Sequence, residues 1–307
     1  MKYDLQRAIA EWSTALTSGD QTQIAVTINR LSGDLTHLRD SLMPAAWEEA
    51  TLTLRSSQLL PILLQDPFTR WSYHRPRGFP ADAGLIDFIY ADGDYAASLC
   101  QASLTGRRIY AANQARPANK AVRFRRQTAA EFLREVLLTA PEPRVLAIAA
   151  GHMRELDRAL FFGIDPAGRV VALDQDQQAL DSIAERLPEV ETLCHSLQDL
   201  LAGQLDDRVF DATYATGLYD YLSDAIAERL LAKQVALVRS GGRVLISNFA
   251  RDAADRGYME VFMDWKLIYR DEQDMMRLAE RANPGGKTRV YREPTGQMVF
   301  LDVTKNG

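Results

Sequence analysis

The feature that most constrains this chain is a short apolar run that ends in a glycine-containing turn. The residues Val145–Ile148 are all apolar, Gly151 follows two alanines, and a helical pattern begins near Arg154. An apolar run of this length, bounded by turn residues, is typical of a strand covered on both faces of a sheet. Such a turn lets the backbone approach a ligand, and the helix after it offers N–H groups and the positive end of its dipole. The segment therefore predicts a strand–turn–helix unit with a ligand site at the turn.

A second apolar strand, predicted over 169–174, ends in Asp174. This acid follows the turn at about the 20-residue spacing at which an acid in a βαβ unit accepts hydrogen bonds from ribose hydroxyls. The alternative is that Asp174 caps the helix predicted over 175–186, a role that Asp176 can also fill. We interpret Asp174 as a ribose ligand, with Gln175 beside it.

The glycine content of the turn indicates the class of cofactor. A dinucleotide places a pyrophosphate across such a turn, which calls for three spaced glycines. Here Ala149 and Met153 flank the single Gly151. S-adenosylmethionine carries no phosphate, and the stretch resembles motif I of the class I methyltransferases, in which Glu155 matches the closing acid. The resemblance implies S-adenosylmethionine as the cofactor and Ala149, Ala150, Gly151 and Glu155 as cofactor-binding residues.

Length and composition exclude several classes of protein. With 307 residues and a 47% share of hydrophobic residues, the chain can form one large α/β domain and an accessory segment. No apolar run reaches the roughly 18 residues that span a bilayer, and the polar start is not typical of a signal peptide, so we expect a cytoplasmic protein. The net charge of −5 argues against general nucleic-acid binding.

The two cysteines, Cys100 and Cys194, lie far apart and show no CxxC or His/Cys spacing. This pattern predicts neither a disulfide nor a zinc or other metal site. We expect both to be buried thiols.

The first 64 residues show helical periodicity without any catalytic motif. Two apolar faces are formed by Leu5, Ile9, Trp12 and Leu16, and by Ile24, Ile28, Leu31, Leu35 and Leu38. We expect these helices to form a cap or the surface of a homodimer. The predicted division is an N-terminal helical cap and lid over 1–115 and a class I methyltransferase domain over 116–307.

The C-terminal pattern identifies the type of sheet. Residues 287–293 and 297–303 alternate as strands around the turn Pro294–Gly296, which predicts a hairpin. Class I methyltransferases end their sheet with an antiparallel strand, whereas a plain dinucleotide fold does not. The predicted fold class is therefore α/β, a Rossmann-like seven-stranded methyltransferase sheet with an antiparallel last strand, plus the N-terminal helical cap.

Residues 71–82 interrupt the helical pattern with prolines, a glycine, aromatic residues and the pair Arg75 and Arg77. A stiff loop of this kind suits a lid over an anionic or planar group, because arginine binds carboxylates bidentately and aromatic rings exclude water. The alternative is a structural connector whose aromatic residues fill a domain interface. Arg75 and Arg77 are therefore candidates for substrate binding.

This loop also carries a closer resemblance. Residues 75–82, followed by Ile89 and Tyr90, resemble the Pro-Arg-Gly-Tyr-x-Gly-Asp signature of a bacterial methyltransferase family that includes the synthases of 3-hydroxypalmitic acid methyl ester. Segment 119–125 resembles the family's Asn-x-x-Val-Arg-x-Arg pattern, and segment 264–270 its Asp-Trp-x-Leu-x-Tyr-Arg pattern. The resemblance implies a fatty or 3-hydroxy fatty carboxylate as the methyl acceptor. It adds further substrate-binding candidates: Asn119, Arg123, Trp265 and Tyr269. We predict an aromatic helix over 259–270, which could form the wall of an acyl pocket; the alternative is that its aromatic residues pack in the core.

The segment 107–126 carries seven cationic residues and no acid. One interpretation is a docking surface for an anionic partner, such as an acyl carrier protein. The alternative is a solvated helix face within the helix predicted over 119–138.

Later apolar runs predict a third, fourth and fifth strand over 190–195, 209–214 and 243–248, with a turn at Ser240–Gly242. Substrates of open α/β sheets bind at the carboxyl ends of the strands. The residues after these strands are therefore candidates. They are Thr216 beside the cofactor, Tyr219, Asp220 and Tyr221 as catalytic residues, and Asn248 beside the acceptor. The resemblance to the methyltransferases, in which the end of the third strand flanks the adenine, adds Ser196, Leu197 and Gln198. The run Gly217–Leu222 also resembles a motif of the same bacterial family, although its aromatic residues could instead pack against the next helix.

Methyl transfer from a sulfonium is an in-line displacement, so the protein must chiefly align the acceptor and exclude water. A carboxylate acceptor needs no base, whereas an amine or phenol would need Asp220 or a tyrosine to remove its proton. Three functions remain open at this stage. They are an S-adenosylmethionine-dependent methyltransferase of a small molecule such as a 3-hydroxy fatty acid, an N- or O-methyltransferase of a secondary-metabolite pathway, and a non-catalytic cofactor-binding module.

Overall fold

The computed structural model describes residues 4–139, 142–160, 169–282 and 285–306. Their contacts divide the chain into two units, one of residues 1–120 with 253–266 and one of residues 121–252 with 267–307. The predicted domain boundary after residue 115 stays a prediction. In the described part of the chain, every helix is too short or too polar to cross a bilayer.

Most elements of the first unit are helices, and the second unit alternates helices with strands. The helices are α1 (Leu5–Ser18), α2 (Gln21–Ser41), α3 (Pro44–Arg55), α4 (Leu59–Leu63), α5 (Pro67–His74), α6 (Ala83–Tyr90), α7 (Tyr95–Gln101), α8 (Leu104–Gln114), α9 (Pro117–Thr139), α10 (Arg154–Leu160), α11 (Gln177–Arg186), α12 (Leu197–Ala202), α13 (Asp224–Leu237), α14 (Arg256–Phe262) and α15 (Glu272–Ala282). The strands are β1 (Val145–Ile148), β2 (Val170–Asp174), β3 (Glu191–Cys194), β4 (Phe210–Ala215), β5 (Val238–Phe249), β6 (Gly286–Arg292) and β7 (Met298–Lys305). A 3₁₀ turn, Tyr219–Tyr221, follows β4.

The predicted helical character of the N-terminal region is confirmed. The side chains of Trp12 and Leu16 on α1 and of Ile28 on α2 are buried, as their spacing predicts. Helix α2 begins at an aspartate cap, in which the Asp20 carboxylate accepts a hydrogen bond from the Gln23 N–H.

The segment 253–266 is tied into the helices of the first unit. All residues of α14 are buried. The Asp255 carboxylate accepts hydrogen bonds from the buried Arg116 guanidinium and from the Ala118 N–H. Arg55 donates to the Val261 carbonyl and to the Asp264 carboxylate. The helix predicted over 259–270 therefore ends at residue 262, and the chain continues without regular structure to α15.

A second buried carboxylate, Asp66, lies in a polar cluster of the same unit. It accepts hydrogen bonds from the Thr69 hydroxyl and from the Asn113 amide, each at 2.8 Å, and from the Phe68 N–H at 3.0 Å. Burial nevertheless raises the pKa of Asp66 to about 6, because removing the charge from water outweighs these bonds.

This shift predicts a pH-dependent stability. The folded state holds the Asp66 proton more tightly than the unfolded chain, so the charge of Asp66 destabilises the fold above a pH of about 6 and not below about 4. We expect the free energy of unfolding of the wild type, relative to Asp66→Asn, to fall by on the order of 2–3 kcal/mol as the pH rises across this window. Urea unfolding at several pH values measures this difference. The control Asp20→Asn keeps a helix cap and should show no such trend.

In the described residues, seven strands form one sheet in the order β3-β2-β1-β4-β5-β7-β6. The strands β1 to β5 are parallel neighbours, and β7 lies antiparallel between β5 and β6. The predicted hairpin near the C-terminus and the antiparallel last strand are therefore confirmed. The strand order and directions agree with the predicted Rossmann-like seven-stranded sheet.

The core of the second unit explains why its strands are apolar throughout. Every residue of β1 and β2 is buried. Leu146 of β1 and Ile246 of β5 belong to one apolar cluster with Leu230 of α13 and Leu278 of α15. Strands covered in this way need apolar side chains at successive positions rather than at alternate ones.

Two predictions about this unit and the cysteines are wrong. The turn predicted at Ser240–Gly242 lies within β5, where the pairing register with β4 shifts as in a β-bulge. Gly241 supplies the positive φ of 75° at this irregularity. Cys100 and Cys194 are both exposed. Helix α7, which carries Cys100, buries none of its residues, and Cys194 ends the edge strand β3.

Candidate functional site

The carboxyl ends of the parallel strands bring most of the predicted site residues to one edge of the sheet. In the pairing register Ile148 lies beside Leu173, and Asp174 lies beside Cys194. The residues that follow β1, β2, β3, β4 and β5 therefore share this edge. The predicted cofactor-binding and catalytic residues all belong to the second unit, whereas Arg75, Arg77, Asn119 and Trp265 belong to the first.

The turn after β1 has an unusual backbone. Ala149, Gly151 and Met153 have φ angles of 53°, 55° and 49°, all in the left-handed region. This conformation costs a residue with a Cβ atom roughly 1–2 kcal/mol, but glycine adopts it readily. Ala149 and Met153 therefore hold a conformation that favours glycine, and the turn is strained at two of its three left-handed positions.

We expect the substitution Ala149→Gly to stabilise the protein by about 1 kcal/mol, because the exposed Ala149 methyl loses little packing when it is removed. The matched control is Ala150→Gly. Ala150 has no positive φ, so the substitution only adds entropy to the unfolded chain and should destabilise the protein by roughly 0.5–1 kcal/mol. Chemical unfolding of both variants measures the pair of effects. Equal effects of the two substitutions would contradict the strain at Ala149.

Asp174 joins the end of β2 to this turn. Its Oδ2 accepts a hydrogen bond from the Gly151 N–H at 2.8 Å, and its Oδ1 accepts one from the Asp176 N–H at 2.9 Å. Burial raises the pKa of the Asp174 carboxyl, and these two N–H groups oppose the rise. Asp176, not Asp174, caps α11, because its side chain accepts from the Gln178 N–H. Gln175 is exposed beside the carboxylate.

The predicted adenine-side residues follow β3. Ser196 forms a capping box with Asp199 at the start of α12, in which its hydroxyl donates to the Asp199 carboxylate and accepts from the Asp199 N–H. Leu197 packs partly against the apolar core, and Gln198 is exposed. The Ser196 side chain is therefore engaged in capping, and Gln198 is the more accessible polar group.

Arg125 is a site residue that the sequence analysis did not single out. It lies on α9 and is 6% exposed. A Cβ atom placed on Gly217 would lie 3.4 Å from its Nη1, so the glycine after β4 leaves room for the guanidinium. Its positive charge acts on the Glu155 and Asp220 carboxylates. The sequence signals were its place in the acid-free cationic segment and its position as the last arginine of the Asn-x-x-Val-Arg-x-Arg pattern over 119–125.

Glu155 begins the helix after the turn and is buried. Its Oε1 accepts a hydrogen bond from the Tyr214 hydroxyl at 2.8 Å. Burial raises the pKa of the Glu155 carboxyl, while the charges of Arg125 and Arg126 oppose the rise. Arg126 also donates to the Arg154 carbonyl, which ties α9 to the start of α10.

The turn after β4 carries the predicted catalytic residues. Asp220 is 2% exposed, and its Oδ1 accepts a hydrogen bond from the Phe249 N–H at 2.6 Å. Burial raises the pKa of Asp220 to about 6. Tyr219 is fully buried, and its hydroxyl donates to the Gln234 side chain. Tyr221 is half-buried. Asp220 is therefore the better placed of these groups for proton transfer.

The turn is held by backbone and side-chain contacts to β5 and to the segment before α15. The half-buried Thr216 accepts from the Ser247 hydroxyl through its carbonyl. Asn248 donates to the Ile268 carbonyl and accepts from Arg270. The side chain of Asn248 is thus engaged in positioning residues 268–270. Tyr269 in that segment and Arg123 on α9 are both half-buried.

The substrate candidates of the first unit have structural partners there. Arg75 donates to the carbonyl and to the carboxylate of Asp264. Asn119 donates to the Asn113 carbonyl. Trp265 is buried, and Arg77 is half-buried. The contacts of Arg75 favour the connector interpretation of the 71–82 loop over the lid.

The cationic residues of segment 107–126 do not form one exposed surface. Arg116 pairs with the buried Asp255, and Arg125 is also buried. Arg107 and Lys120 are exposed. The acyl carrier protein partner therefore has less support than the sequence pattern alone provides.

No family model matches the chain, and no curated protein matches it. Among solved structures it is similar to a possible exported protein from Bordetella parapertussis, with a TM-score of 0.56 and 17% identity over 95% of this chain and 98% of that chain. It is also similar to an O-methyltransferase family protein from Burkholderia thailandensis, with a TM-score of 0.48 and 15% identity over 72% of each chain. A third similar structure is the magnesium protoporphyrin IX methyltransferase from Synechocystis with bound SAM, with a TM-score of 0.43 and 13% identity over 61% of this chain and 83% of that chain. The first of these likenesses shows a shared fold.

Proposed function

We propose that the protein is an S-adenosylmethionine-dependent methyltransferase of a small molecule. The observation that carries the proposal is the left-handed turn after β1, whose Gly151 N–H is bonded to the carboxylate of Asp174 at the end of β2. This contact places a carboxylate next to a turn whose backbone can come close to a ligand. Both lie at the edge of the sheet formed by the carboxyl ends of the strands, where open α/β folds bind their ligands.

The side chains at this edge fit the parts of the cofactor. Each Asp174 oxygen accepts one N–H and keeps capacity for a ribose hydroxyl. Gln198 is accessible for the adenine amine. Arg125 is a buried cation suited to the methionine carboxylate. S-adenosylmethionine carries no phosphate, so its site does not need the three spaced glycines of a dinucleotide site, and the single glycine of this turn fits it.

Bound S-adenosylmethionine supplies an activated methyl group, so the chain needs only to align the acceptor and exclude water. Asp174 and Arg125 would fix the two ends of the cofactor, and the turn Tyr219–Tyr221 would face the acceptor. Glu155, bonded to Tyr214, would keep Arg125 in place.

The resemblance of residues 75–82 and of the later motifs supports a 3-hydroxy fatty carboxylate as one acceptor. Incubation of the full chain with methyl-labelled S-adenosylmethionine and 3-hydroxypalmitate tests it. If 3-hydroxypalmitate is an acceptor, a labelled methyl ester should form. Cofactor binding without formation of any ester would reject this acceptor. N- or O-methylation of a secondary metabolite is the alternative within the same fold.

A non-catalytic cofactor-binding module is a second candidate, favoured by the strained left-handed Ala149 and Met153. Calorimetry with S-adenosylmethionine tests the cofactor binding that both hypotheses require, at low micromolar to millimolar concentration, and transfer of the labelled methyl group to an acceptor separates the enzyme from the binding module. Absence of binding would reject both. A cytoplasmic location, a homodimer and an acyl carrier protein partner remain parts of this proposal.

A further inference from the structure

We infer that the methyl acceptor reacts through a hydroxyl or an amine, and that Oδ2 of Asp220 removes its proton. This inference rests on the proposed methyltransferase function and names the substrate class of that site. The acceptor's lone pair on oxygen or nitrogen forms a bond to the methyl carbon, and the sulfur–carbon bond breaks with its electron pair left on sulfur. The acceptor proton passes to Asp220, and the product is a methyl ether or a methylamine.

The first support is the hydrogen bonding of the carboxylate. Asp220 is 2% exposed, and its Oδ1 is occupied by the Phe249 N–H. No side chain or backbone group of the described residues donates a hydrogen bond to its Oδ2. Oδ2 is not one of the fully buried side-chain atoms that lack a partner, so this carboxylate oxygen keeps some access to water or to a ligand. An acceptor O–H or N–H would supply the missing donor.

The second support is the elimination of other bases beside the same turn. The Tyr219 hydroxyl donates to Gln234 inside the core. The Ser247 hydroxyl donates to the Thr216 carbonyl. Of Tyr219, Ser247 and Asp220, only Asp220 has a proton-accepting side-chain atom that makes no hydrogen bond within the described chain.

The third support is charge. Two cations act on Asp220, Arg125 from α9 and Arg270 from the segment before α15. Arg125 also acts on the buried Glu155, and Arg270 pairs with Asp224. Each of the two cations therefore interacts with a second carboxylate besides Asp220. Burial raises the pKa of Asp220 to about 6, which leaves it ionised at neutral pH and close to the value that suits a general base. A second carboxylate brought to this place would be repelled, which favours the N- or O-methylation alternative over the carboxylate acceptor that the resemblance implies.

Two apolar residues lie close to Asp220 along the chain or through the backbone. Ile268 donates its N–H to the Asp220 carbonyl at 2.7 Å, and its side chain is 39% exposed. The partly buried Leu218 lies in the same turn. An apolar molecule with one hydroxyl or amine would cover such a surface and satisfy the carboxylate.

A test that needs no knowledge of the acceptor compares two cofactor analogues. In sinefungin a carbon that carries an amine replaces the sulfur of S-adenosylhomocysteine. The amine occupies the place of the transferred methyl, so sinefungin presents a cation to the acceptor side. We expect the wild type to bind sinefungin more tightly, by about tenfold or more, because an ion pair with a buried carboxylate is strong. In Asp220→Asn this preference should disappear while S-adenosylhomocysteine still binds.

The control is Glu155→Gln, which removes the other buried carboxylate near Arg125. It should weaken both ligands together and keep their ratio. If Asp220→Asn does not fold, the wild-type ratio measured at pH 5 and pH 8 replaces it, and the preference should shrink at pH 5 as Asp220 takes up a proton. A ratio that is unchanged by the substitution or by pH overturns the inference alone. Absence of binding by both ligands overturns the proposed function with it.

Discussion

Replacing Asp174 by asparagine is expected to weaken the binding of S-adenosylhomocysteine about 100-fold. The carboxylate would accept hydrogen bonds from the ribose hydroxyls while it holds the Gly151 and Asp176 N–H groups. Asparagine has one oxygen and one NH₂ group, so at least one N–H of the protein and one hydroxyl of the ligand lose their acceptor. Hydrogen bonds to a charged group contribute roughly 1.5–3 kcal/mol each, and about 2.7 kcal/mol corresponds to 100-fold in affinity.

The control for this substitution is Asp176→Asn. Asp176 caps α11 from the same end of β2, and asparagine caps helices as well as aspartate does. Its affinity for the ligand should stay within about twofold of the wild type, since no ligand hydrogen bond is lost.

A second ligand separates ribose binding from support of the turn. The wild type should bind an analogue that lacks both ribose hydroxyls far more weakly than the parent compound. Asp174→Asn should bind the two compounds with similar affinity. If the variant still discriminates between them as the wild type does, Asp174 only supports the turn and the ribose assignment fails.

The parts of the fold that could be predicted are those in which one physical requirement dominates. β1 and β2 are buried at every position, so their sequences had to be apolar runs, and the runs ended where the strands end. The hairpin of β6 and β7 was marked by Pro294–Gly296. The stretch Ser240–Gly242 also carries a turn signal, but β4 pairs with β5 on both sides of this stretch, which becomes a bulge within β5.

The residues of the candidate site also differ in how well the sequence alone could predict them. The place of Asp174 beside Gly151 was predictable because the spacing of these two residues is fixed by the βαβ unit. Arg125 was not, because its position depends on how α9 packs beside the turn after β4, and no local pattern encodes the approach to Gly217. The roles of Tyr219 and Asp220 could not be separated either. They are neighbours in the sequence, but one side chain enters the core and the other reaches the end of β5.

Arg270 was missed for the same reason, although it organises the acceptor end of the site. Its guanidinium is 2% exposed. It donates to the carbonyls of Tyr219 and Leu222, to the Asn248 side chain and to the Asp224 carboxylate. One planar group therefore joins the turn after β4, the end of β5 and the start of α13, in the fork geometry that arginine alone provides.

Replacing Arg270 by methionine is expected to destabilise the protein by about 3–5 kcal/mol, because it leaves several buried acceptors without a donor. Arg270→Lys should recover only part of this loss, since a single ammonium cannot reach acceptors on three elements. The control is Arg281→Met, which breaks the more exposed pair with Glu228 and should cost at most about 1 kcal/mol. Denaturant unfolding of the three variants measures these differences. Equal losses for Arg270→Met and Arg281→Met would show that the buried arginine does not hold these elements together.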